Sequence, residues 1–295
     1  MPINHSFHIL NCNIKLVAKV AIFILIIGLI FSGIFYAILN PIITELTDLI
    51  TGINIDANSF INHPINTTRD YIIQPIIEYL GTKNIGSVVG WFIGLFVVIK
   101  FLITIPILPV SKIVYTKMTT GYDIGLLNST VSTGFQNILL SLILTIITSI
   151  IDGGITIAIY ELFMVCLNAK LIFLLPFILI LGVCLLSIRM SLFCQIAPNV
   201  ASLQLKNIFI GIGNAYKGTM VKFRKNFLCI LVLNIFWITI MMVTALPTLF
   251  AVPVICVPLY MVHYCILSNT LFCSYHQQNY FIDNGTTVYT PTKIF

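Results

Sequence analysis

The chain has 295 residues, of which 59% are hydrophobic and only 8% are charged, and its mean hydropathy is +1.05. A soluble globule of this length cannot enclose so much apolar surface, so the composition excludes soluble classes of protein and indicates that lipid surrounds most of the chain. The 15 Lys and Arg residues outnumber the 9 Asp and Glu residues, which gives a formal net charge of +6.

Six continuous apolar runs are long enough to cross a membrane as helices. A helix rises about 1.5 Å per residue, so about 20 residues cover a hydrocarbon core of about 30 Å. A β-barrel would need short segments that alternate between apolar and polar residues, and these runs do not alternate. We therefore predict an all-α, polytopic transmembrane helical bundle. Its six spans cover about residues 20–39, 86–108, 135–157, 171–193, 226–246 and 254–273.

The distribution of Lys and Arg predicts the orientation of the spans. Basic residues concentrate in the cytoplasmic segments of membrane proteins, and most of them do so here if the N-terminus is inside the cell. Arg189 then lies in the inner half of the fourth span. Asp152 lies near the outer end of the third span, where it and two following glycines would break or kink the helix. We predict a multi-pass protein of the cell membrane with both termini in the cytoplasm.

The largest segment outside the predicted spans is the outer loop of about residues 40–85. Pro41 and two later prolines divide it into short helical turns, and apolar residues at helical spacing follow Pro41. We expect either an amphipathic stretch on the membrane surface or a ligand-binding cap. The first two spans and this loop form a predicted N-terminal region, residues 1–109, and residues 110–295 form the second region.

The stretch GNAYKGTMVKFRKNF, residues 213–227, carries basic residues and no acid between two apolar runs. Its apolar residues recur at helical spacing, while the cations project from other sides, which predicts an amphipathic helix in the cytoplasmic interface before the fifth span. The cations either act as a topology signal or form a dedicated site for anionic inner-leaflet lipids or a partner. The candidate lipid-contacting residues are Lys206, Lys217, Lys222, Arg224, Lys225 and Arg189.

An internal repeat emerges when the residues from Gly125 are aligned with those from Asn214. The alignment pairs Thr130 with Thr219, Asn137 with Asn226, Leu139 with Leu228 and Leu142 with Leu231. In addition, SLFC at residues 191–194 is similar to TLFC at residues 270–273. The pattern predicts a two-fold internal repeat whose unit is an interfacial helix followed by a two-helix hairpin.

The segments IRMSLFCQIAPNVASLQ, residues 188–204, and GIGNAYKGTMVKFRKNFLCILVL, residues 211–233, carry a family resemblance. They resemble the membrane domain found with some bacterial glycerophosphoryl diester phosphodiesterases and in stand-alone relatives of unknown function. The resemblance covers about residues 110–273. It implies a span ending in Arg, a short linker, an amphipathic helix and another span, with RKNF at residues 224–227 as the turn before that span. The soluble catalytic barrel of the phosphodiesterases has no counterpart here, so no catalytic residue is carried over.

Two polar residues within the apolar spans form a candidate intramembrane site. His263 lies near the middle of the sixth span, and Asn234 lies about a third of the way through the fifth. Such side chains are costly in lipid unless they are paired or hydrated. The two residues either hydrogen-bond a passing solute, with protonation of His263 as a gate, or join neighbouring helices structurally.

No catalytic or metal-binding motif is recognisable. The eight cysteines lie mostly in apolar spans without a Cys-x-x-Cys pair, which predicts free thiols, and the five histidines are too scattered for a metal site. We expect no cofactor, no metal and no nucleic acid. The expected partners are the bilayer, its anionic inner leaflet, and a protein partner or a second copy of the chain. The favoured function is a non-enzymatic transporter-like, permease-like or membrane-organising component; the alternative is an intramembrane enzyme acting on lipid or lipid-linked substrates.

Overall fold

The computed structural model describes residues 2–51, 85–169, 171–203, 208–245, 247, 251–283 and 286–288. Within these residues the chain is helical apart from short connections and one small hairpin, in which β1 (Tyr280–Phe281) pairs with β2 (Thr287–Val288) in antiparallel register. The helices are α1 (Pro2–Cys12), α2 (Ile14–Thr51), α3 (Ile85–Thr104), α4 (Ile107–Thr120), α5 (Leu126–Asn168), α6 (Leu175–Phe193), α7 (Ile196–Leu203), α8 (Ile208–Val221), α9 (Phe223–Ala245) and α10 (Ala251–Tyr275).

The predicted all-α transmembrane bundle is confirmed. Six helical stretches are long and apolar enough to cross a membrane: Ile14–Phe31, Ile93–Thr120, Leu126–Cys166, Pro176–Ser202, Phe223–Ala245 and Ile255–Tyr275. Large apolar side chains are exposed along these stretches, for example Ile150, Leu179 and Val243. Exposed side chains of this kind are unfavourable in water and are expected on helices whose outer faces contact lipid.

The predicted helix breaks at Pro41 and after Asp152 are wrong, and one helix is interrupted at Gly134 instead. Helix α2 continues through Pro41 to Thr51, although an interior proline removes one helical hydrogen bond and crowds the preceding turn. The rest of the predicted outer loop, residues 52–84, lies outside the described residues. Helix α5 continues through the glycines after Asp152 and is interrupted instead at Gly134, with φ 39° and ψ −124°. Glycine adopts this positive φ readily, whereas a side chain would strain it.

The chain forms two compact units whose boundaries differ from the predicted division at residue 109. One unit contains Met1–Ile24 and Phe101–Phe295, and the other contains Leu25–Lys100. The N-terminal residues belong to the first unit because α1 packs against α10. The second unit contains the remainder of α2 and most of α3.

Helix α10 is the central helix of the first unit. It packs against α1, α4, α7 and α9. In its most apolar stretch 72% of the residues are buried, compared with 17–28% in the other five candidate spans. The sixth span therefore contacts protein on most sides, and its polar residues must find partners in neighbouring helices.

The order of elements in α3, α4 and α5 recurs in the helices from α6 to α9. The alignment that pairs Asn137 with Asn226 also places Lys100 opposite Arg189 and Pro109 opposite Pro198. In each copy a long helix is followed by a short connection, one or more shorter helices and a second long helix. The interruption of α5 at Gly134 corresponds to the junction between α8 and α9.

Candidate functional site

His263 is fully buried near the middle of α10, and both of its ring nitrogens have partners. Trp237 of α9 donates its indole Nε1–H to His263 Nδ1 at 3.1 Å, and His263 Nε2 lies 3.0 Å from Ser6 Oγ of α1. The indole is a donor only, so Nδ1 accepts and Nε2 carries the hydrogen of a neutral ring. Ser6 Oγ donates in turn to the Ile3 carbonyl at 2.7 Å. His263 thus connects three helices.

Helix α1 reaches the middle of the membrane-spanning part of α10. The ring of Phe7 lies edge-on to His263, with the ring centroids 4.3 Å apart, and it also contacts Phe236 of α9. Helix α1 is too short to cross a membrane and lies before the first apolar run, but Ile3, Phe7 and Leu10 recur at helical spacing and could have indicated it. Its contact with the buried His263 is a tertiary feature.

Asn234 of α9 belongs to a different cluster from His263. Its Nδ2 donates to Ser187 Oγ of α6 at 2.8 Å, and its Oδ1 accepts from the Tyr260 hydroxyl of α10 at 2.7 Å. A second tyrosine, Tyr264, donates to the Met190 carbonyl at 3.1 Å. Asn234 and His263 therefore join the same pair of helices, α9 and α10, but through separate partners rather than through a bond to each other.

Arg189 of α6 forms an ion pair with Asp152 of α5. Arg189 Nε lies 2.9 Å from Asp152 Oδ1, and each side chain is about one-fifth exposed, with values of 20% and 21%. The contact does not meet hydrogen-bond geometry, so Arg189 Nε remains without an acceptor among the described residues. Arg189, a candidate lipid contact from the sequence, thus finds its opposite charge inside the bundle.

The ion pair places Asp152 and Arg189 side by side, so the predictions of an outer Asp152 and an inner Arg189 cannot both hold. Helix α5 extends to Asn168, and the chain turns back only between Asn168 and α6. Counted along the two helices, both residues lie well away from that turn. The glycines after Asp152 do not end α5, because a backbone in lipid must keep its hydrogen bonds satisfied within the helix.

Helix α6 connects these clusters into a polar layer, which we define as Asp152, Arg189, Ser187, Asn234, Tyr260, Trp237 and His263. Ser187 and Arg189 are close neighbours on α6, Asn234 and Trp237 are three residues apart on α9, and Tyr260 and His263 are three residues apart on α10. Residues at this spacing lie within about one helical turn. The layer therefore crosses the bundle from α5 to α10.

A column of polar side chains on α5 approaches the polar layer. Its members are buried and recur at three- and four-residue spacing, which places them on one face of the helix. They are Ser129, Thr133, Asn137, Ser141, Thr145 and Thr148. Thr145 Oγ1 and the nearby Ser149 Oγ have no hydrogen-bond partner among the described residues. A buried hydroxyl without a partner costs about 1–3 kcal/mol, so these two groups call for a ligand or water.

The basic residues of the GNAYKGTMVKFRKNF stretch are exposed where α8 passes into α9. Lys225 Nζ donates to Ser274 Oγ at 3.0 Å, and Lys222 Nζ lies 5.1 Å from the centroid of the Tyr275 ring. Lys217 and Arg224 are exposed as well, whereas Lys206 lies outside the described residues. Two of the candidate lipid-contacting cations thus also attach the start of α9 to the end of α10.

Helix α8 buries small residues and exposes large ones. Gly211, Ala215 and Thr219 form its buried face, and α8 packs against α6 and α7. Phe209, Tyr216 and Met220 are 43–66% exposed. The large apolar side chains that defined the predicted amphipathic face are therefore available to lipid, and the helix approaches the bundle closely through its small residues.

Helix α1 contacts residues at and next to β1. His5 Nδ1 lies 2.7 Å from the Tyr280 hydroxyl, and His8 Nε2 lies 3.3 Å from Asp283 Oδ2. Burial lowers the pKa of His5, as does the positively charged N-terminus, and burial raises the pKa of Tyr280 to about 12. The phenol therefore keeps its hydrogen at neutral pH and donates it to the neutral imidazole.

The remaining candidate groups do not form a metal centre. All eight cysteines are free thiols, as predicted, and five of them are buried. Among the described residues no group of three or more His, Cys, Asp or Glu side chains is arranged to hold a metal ion.

Comparisons with family models, with curated proteins and with solved structures found no match to this chain.

Proposed function

We propose that this protein is a transporter-like integral membrane protein in which the polar layer contacts a small polar solute. The observation that carries the proposal is the ion pair between Asp152 and Arg189 within two candidate spans. Charged side chains inside a membrane are costly, and they commonly mark substrate or ion pathways. A bundle that needed only stability would gain little from such a pair, because well-packed apolar residues often stabilise an interior equally well.

The polar column of α5 supports the same function. It approaches Asp152 with hydroxyls and one amide along a single buried face, and two hydroxyls near the ion pair lack partners among the described residues. Arg189 carries five N–H donors, of which Asp152 faces only part, so its guanidinium can also bind an acceptor on a solute. A solute with a carboxylate or another oxygen acceptor fits these donors.

His263 contributes to this function by positioning helices. Its nitrogens are engaged by Trp237 and Ser6, and no side of the ring is free to bind a solute without breaking one of these contacts. The proton gate that the sequence suggested would require the ring to give up the bond from Trp237. We therefore assign the solute contact to the Asp152 side of the polar layer.

Cysteine accessibility tests the proposal. In a background in which the eight native cysteines are replaced, Thr145→Cys and Ser141→Cys should react with a small, membrane-permeant thiol reagent that requires water. The matched controls, Ile146→Cys and Ile150→Cys, lie on exposed apolar positions of the same helix and should stay unreactive in lipid. Equal protection at all four positions in the folded, inserted protein would remove the basis for a pathway along α5.

A second candidate is a membrane-organising component. The exposed Lys217 and Arg224 favour it, since cations at the end of an interfacial helix attract anionic lipids by about 1 kcal/mol each. This role agrees with the resemblance to the membrane domain that accompanies some glycerophosphoryl diester phosphodiesterases. We also propose that the protein resides in the cell membrane with both termini in the cytoplasm, which is supported by the contact between the termini and by an even number of spans.

The enzymatic alternative has less support among the described residues. Asp152 is paired with Arg189, while His263 is bonded to Trp237 and Ser6. An acid or base in catalysis must lie within hydrogen-bond reach of the reacting group together with a nucleophile or a stabilising donor. The acid and the imidazole instead occupy opposite ends of the polar layer, with α6 and α9 between them.

A further inference from the structure

A cavity of about 480 Å³ lies between α4, the interruption of α5 and α7. We call it the kink cavity. Its polar lining includes Lys112 of α4 with Ser132 and Gln136 of α5, and its apolar lining includes Leu108, Phe135 and Val200. The cavity is separate from the polar layer, and of its lining residues only Thr133 also belongs to the polar column of α5.

Lys112 contributes an uncompensated positive charge to this cavity. Its Nζ donates to Ser132 Oγ at 2.9 Å, and Ser132 Oγ donates to the Ser129 carbonyl at 2.9 Å. No carboxylate of the described residues lies within ion-pair distance of Lys112, and no Asp or Glu lines the cavity. Ser132 therefore orients the ammonium group while leaving its charge available to an anion.

The interruption at Gly134 adds backbone donors to the same place. Its φ of 39° and ψ of −124° interrupt the helical ladder, so the second segment of α5 begins at the wall of the cavity. The first N–H groups of a helix lack intrahelical acceptors and carry a partial positive charge that favours anions. Lys112 and this helix start converge on one cavity, which is the arrangement that binds phosphate groups in proteins.

The apolar wall of the cavity favours an amphiphilic anion over a small free anion. Phe135 is 76% exposed next to the polar groups, and Leu108 and Val200 continue the apolar lining. A small free anion would leave this surface without a partner. An amphiphile places its charged group against Lys112 and its hydrocarbon against Phe135.

In the second copy of the predicted repeat, side chains of α10 contact the segment that corresponds to the wall of the kink cavity. There Arg224 and Lys225 stand where the first copy has Phe135 and Gln136. Lys225 is bonded to Ser274 of α10, and Lys222 stacks on Tyr275 of the same helix. The end of α10 thus contacts the cations of the second copy. In the first copy, the kink cavity lies at the corresponding segment.

We propose that the kink cavity binds the phosphate group of an anionic phospholipid. Lys112, the Ser132 hydroxyl and the N–H groups that begin the second segment of α5 hold the phosphate, and Phe135 and Leu108 contact the adjoining hydrocarbon. The site does not depend on the transporter-like function proposed above.

The test measures lipid binding to the full-length protein purified in a neutral detergent. Thermal unfolding is followed with added phosphatidylglycerol, phosphatidylcholine or inorganic phosphate, and lipids that stay bound are identified by native mass spectrometry. We expect phosphatidylglycerol to raise the unfolding temperature more than phosphatidylcholine does. Lys112→Gln should weaken phosphatidylglycerol binding by about tenfold, which corresponds to the loss of one charge-assisted hydrogen bond. Lys112→Arg should restore most of it, and Lys15→Gln, at an exposed lysine of α2 outside the cavity, should leave it unchanged.

Three results would overturn the proposal. The first is full phosphatidylglycerol binding by Lys112→Gln, and the second is an equal loss in the Lys15→Gln control. The third is stabilisation by inorganic phosphate without any effect of phosphatidylglycerol, which would assign the site to a free anion. Lys112→Gln should unfold at the wild-type temperature in detergent alone, so that a loss of lipid binding is distinguished from a loss of the fold.

Discussion

Asp152 of α5 and Arg189 of α6 are paired across two helices that both lie among the candidate spans, with 2.9 Å between Oδ1 and Nε. The pair fixes the register of these helices more strictly than their apolar side chains do, because a shift of either helix would separate opposite charges in a medium that screens them poorly. It also explains why an acid is tolerated within an otherwise apolar span.

Removal of one member of this pair should destabilise the protein more than removal of both. We expect Asp152→Asn to lower the free energy of unfolding by about 3 kcal/mol, because it leaves Arg189 uncompensated. Adding Arg189→Gln should recover much of that loss. The measurement is thermal or denaturant unfolding in one detergent.

Asp123→Asn is the control, since Asp123 pairs with Lys117 at 3.1 Å but is 74% exposed, and an exposed pair contributes about 1 kcal/mol or less. Equal losses in both single variants would contradict a special role for the Asp152 pair.

His263 should be replaceable by a neutral side chain of the same bonding pattern. In His263→Gln the amide can accept from Trp237 and donate to Ser6, so we expect nearly wild-type stability. In His263→Leu both partners lose their bonds in a buried place, and the cost should be about 2–4 kcal/mol. Unfolding of the two variants and of the wild-type protein between pH 5 and 8 provides the measurement. A functional defect in His263→Gln despite unchanged stability would favour a protonation role instead.

Docking of α1 should weaken in mild acid. An unfolded-state imidazole binds its proton near pH 6.5, whereas burial lowers the pKa of His5 in the folded protein. Below about pH 6.5 the unfolded state therefore binds more protons, and stability falls with pH in this window. Hydrogen exchange of residues 2–12 should be faster at pH 5 than at pH 7.5, and His5→Gln should reduce the difference. Identical exchange at both pH values in the wild-type protein would show that His5 does not control α1.

The N- and C-terminal segments should be cross-linkable. In a background without native cysteines, His8→Cys combined with Asp283→Cys should form a cross-link with a short bifunctional thiol reagent, since the two native side chains approach to 3.3 Å. Tyr216→Cys, at an exposed position of α8, replaces His8→Cys in the control and should give no product, because α8 packs against α6 and α7. Topology reporters fused at the two ends should report the same side of the membrane. Reporters on opposite sides would contradict both the contact and an even number of spans.

The class of protein was determined by the sequence, because the cost of exposing so much apolar surface to water does not depend on how the helices pack. The spans that become α3, α6, α9 and α10 were predicted within a few residues for the same reason: their length must match the hydrocarbon core. The sequence also predicts a repeat, in pairs such as Asn137 with Asn226, and the order of the helices agrees with it.

The partners of the polar residues were decided by the tertiary structure. His263 and Asn234 were recognisable as polar residues in lipid, but their bonds to Trp237 and Ser187 depend on which helix faces which. The interruption at Gly134, rather than at the glycines after Asp152, has the same origin. A glycine permits a positive φ without requiring one, and the packing of α4 and α7 around the kink cavity selects where the chain uses it.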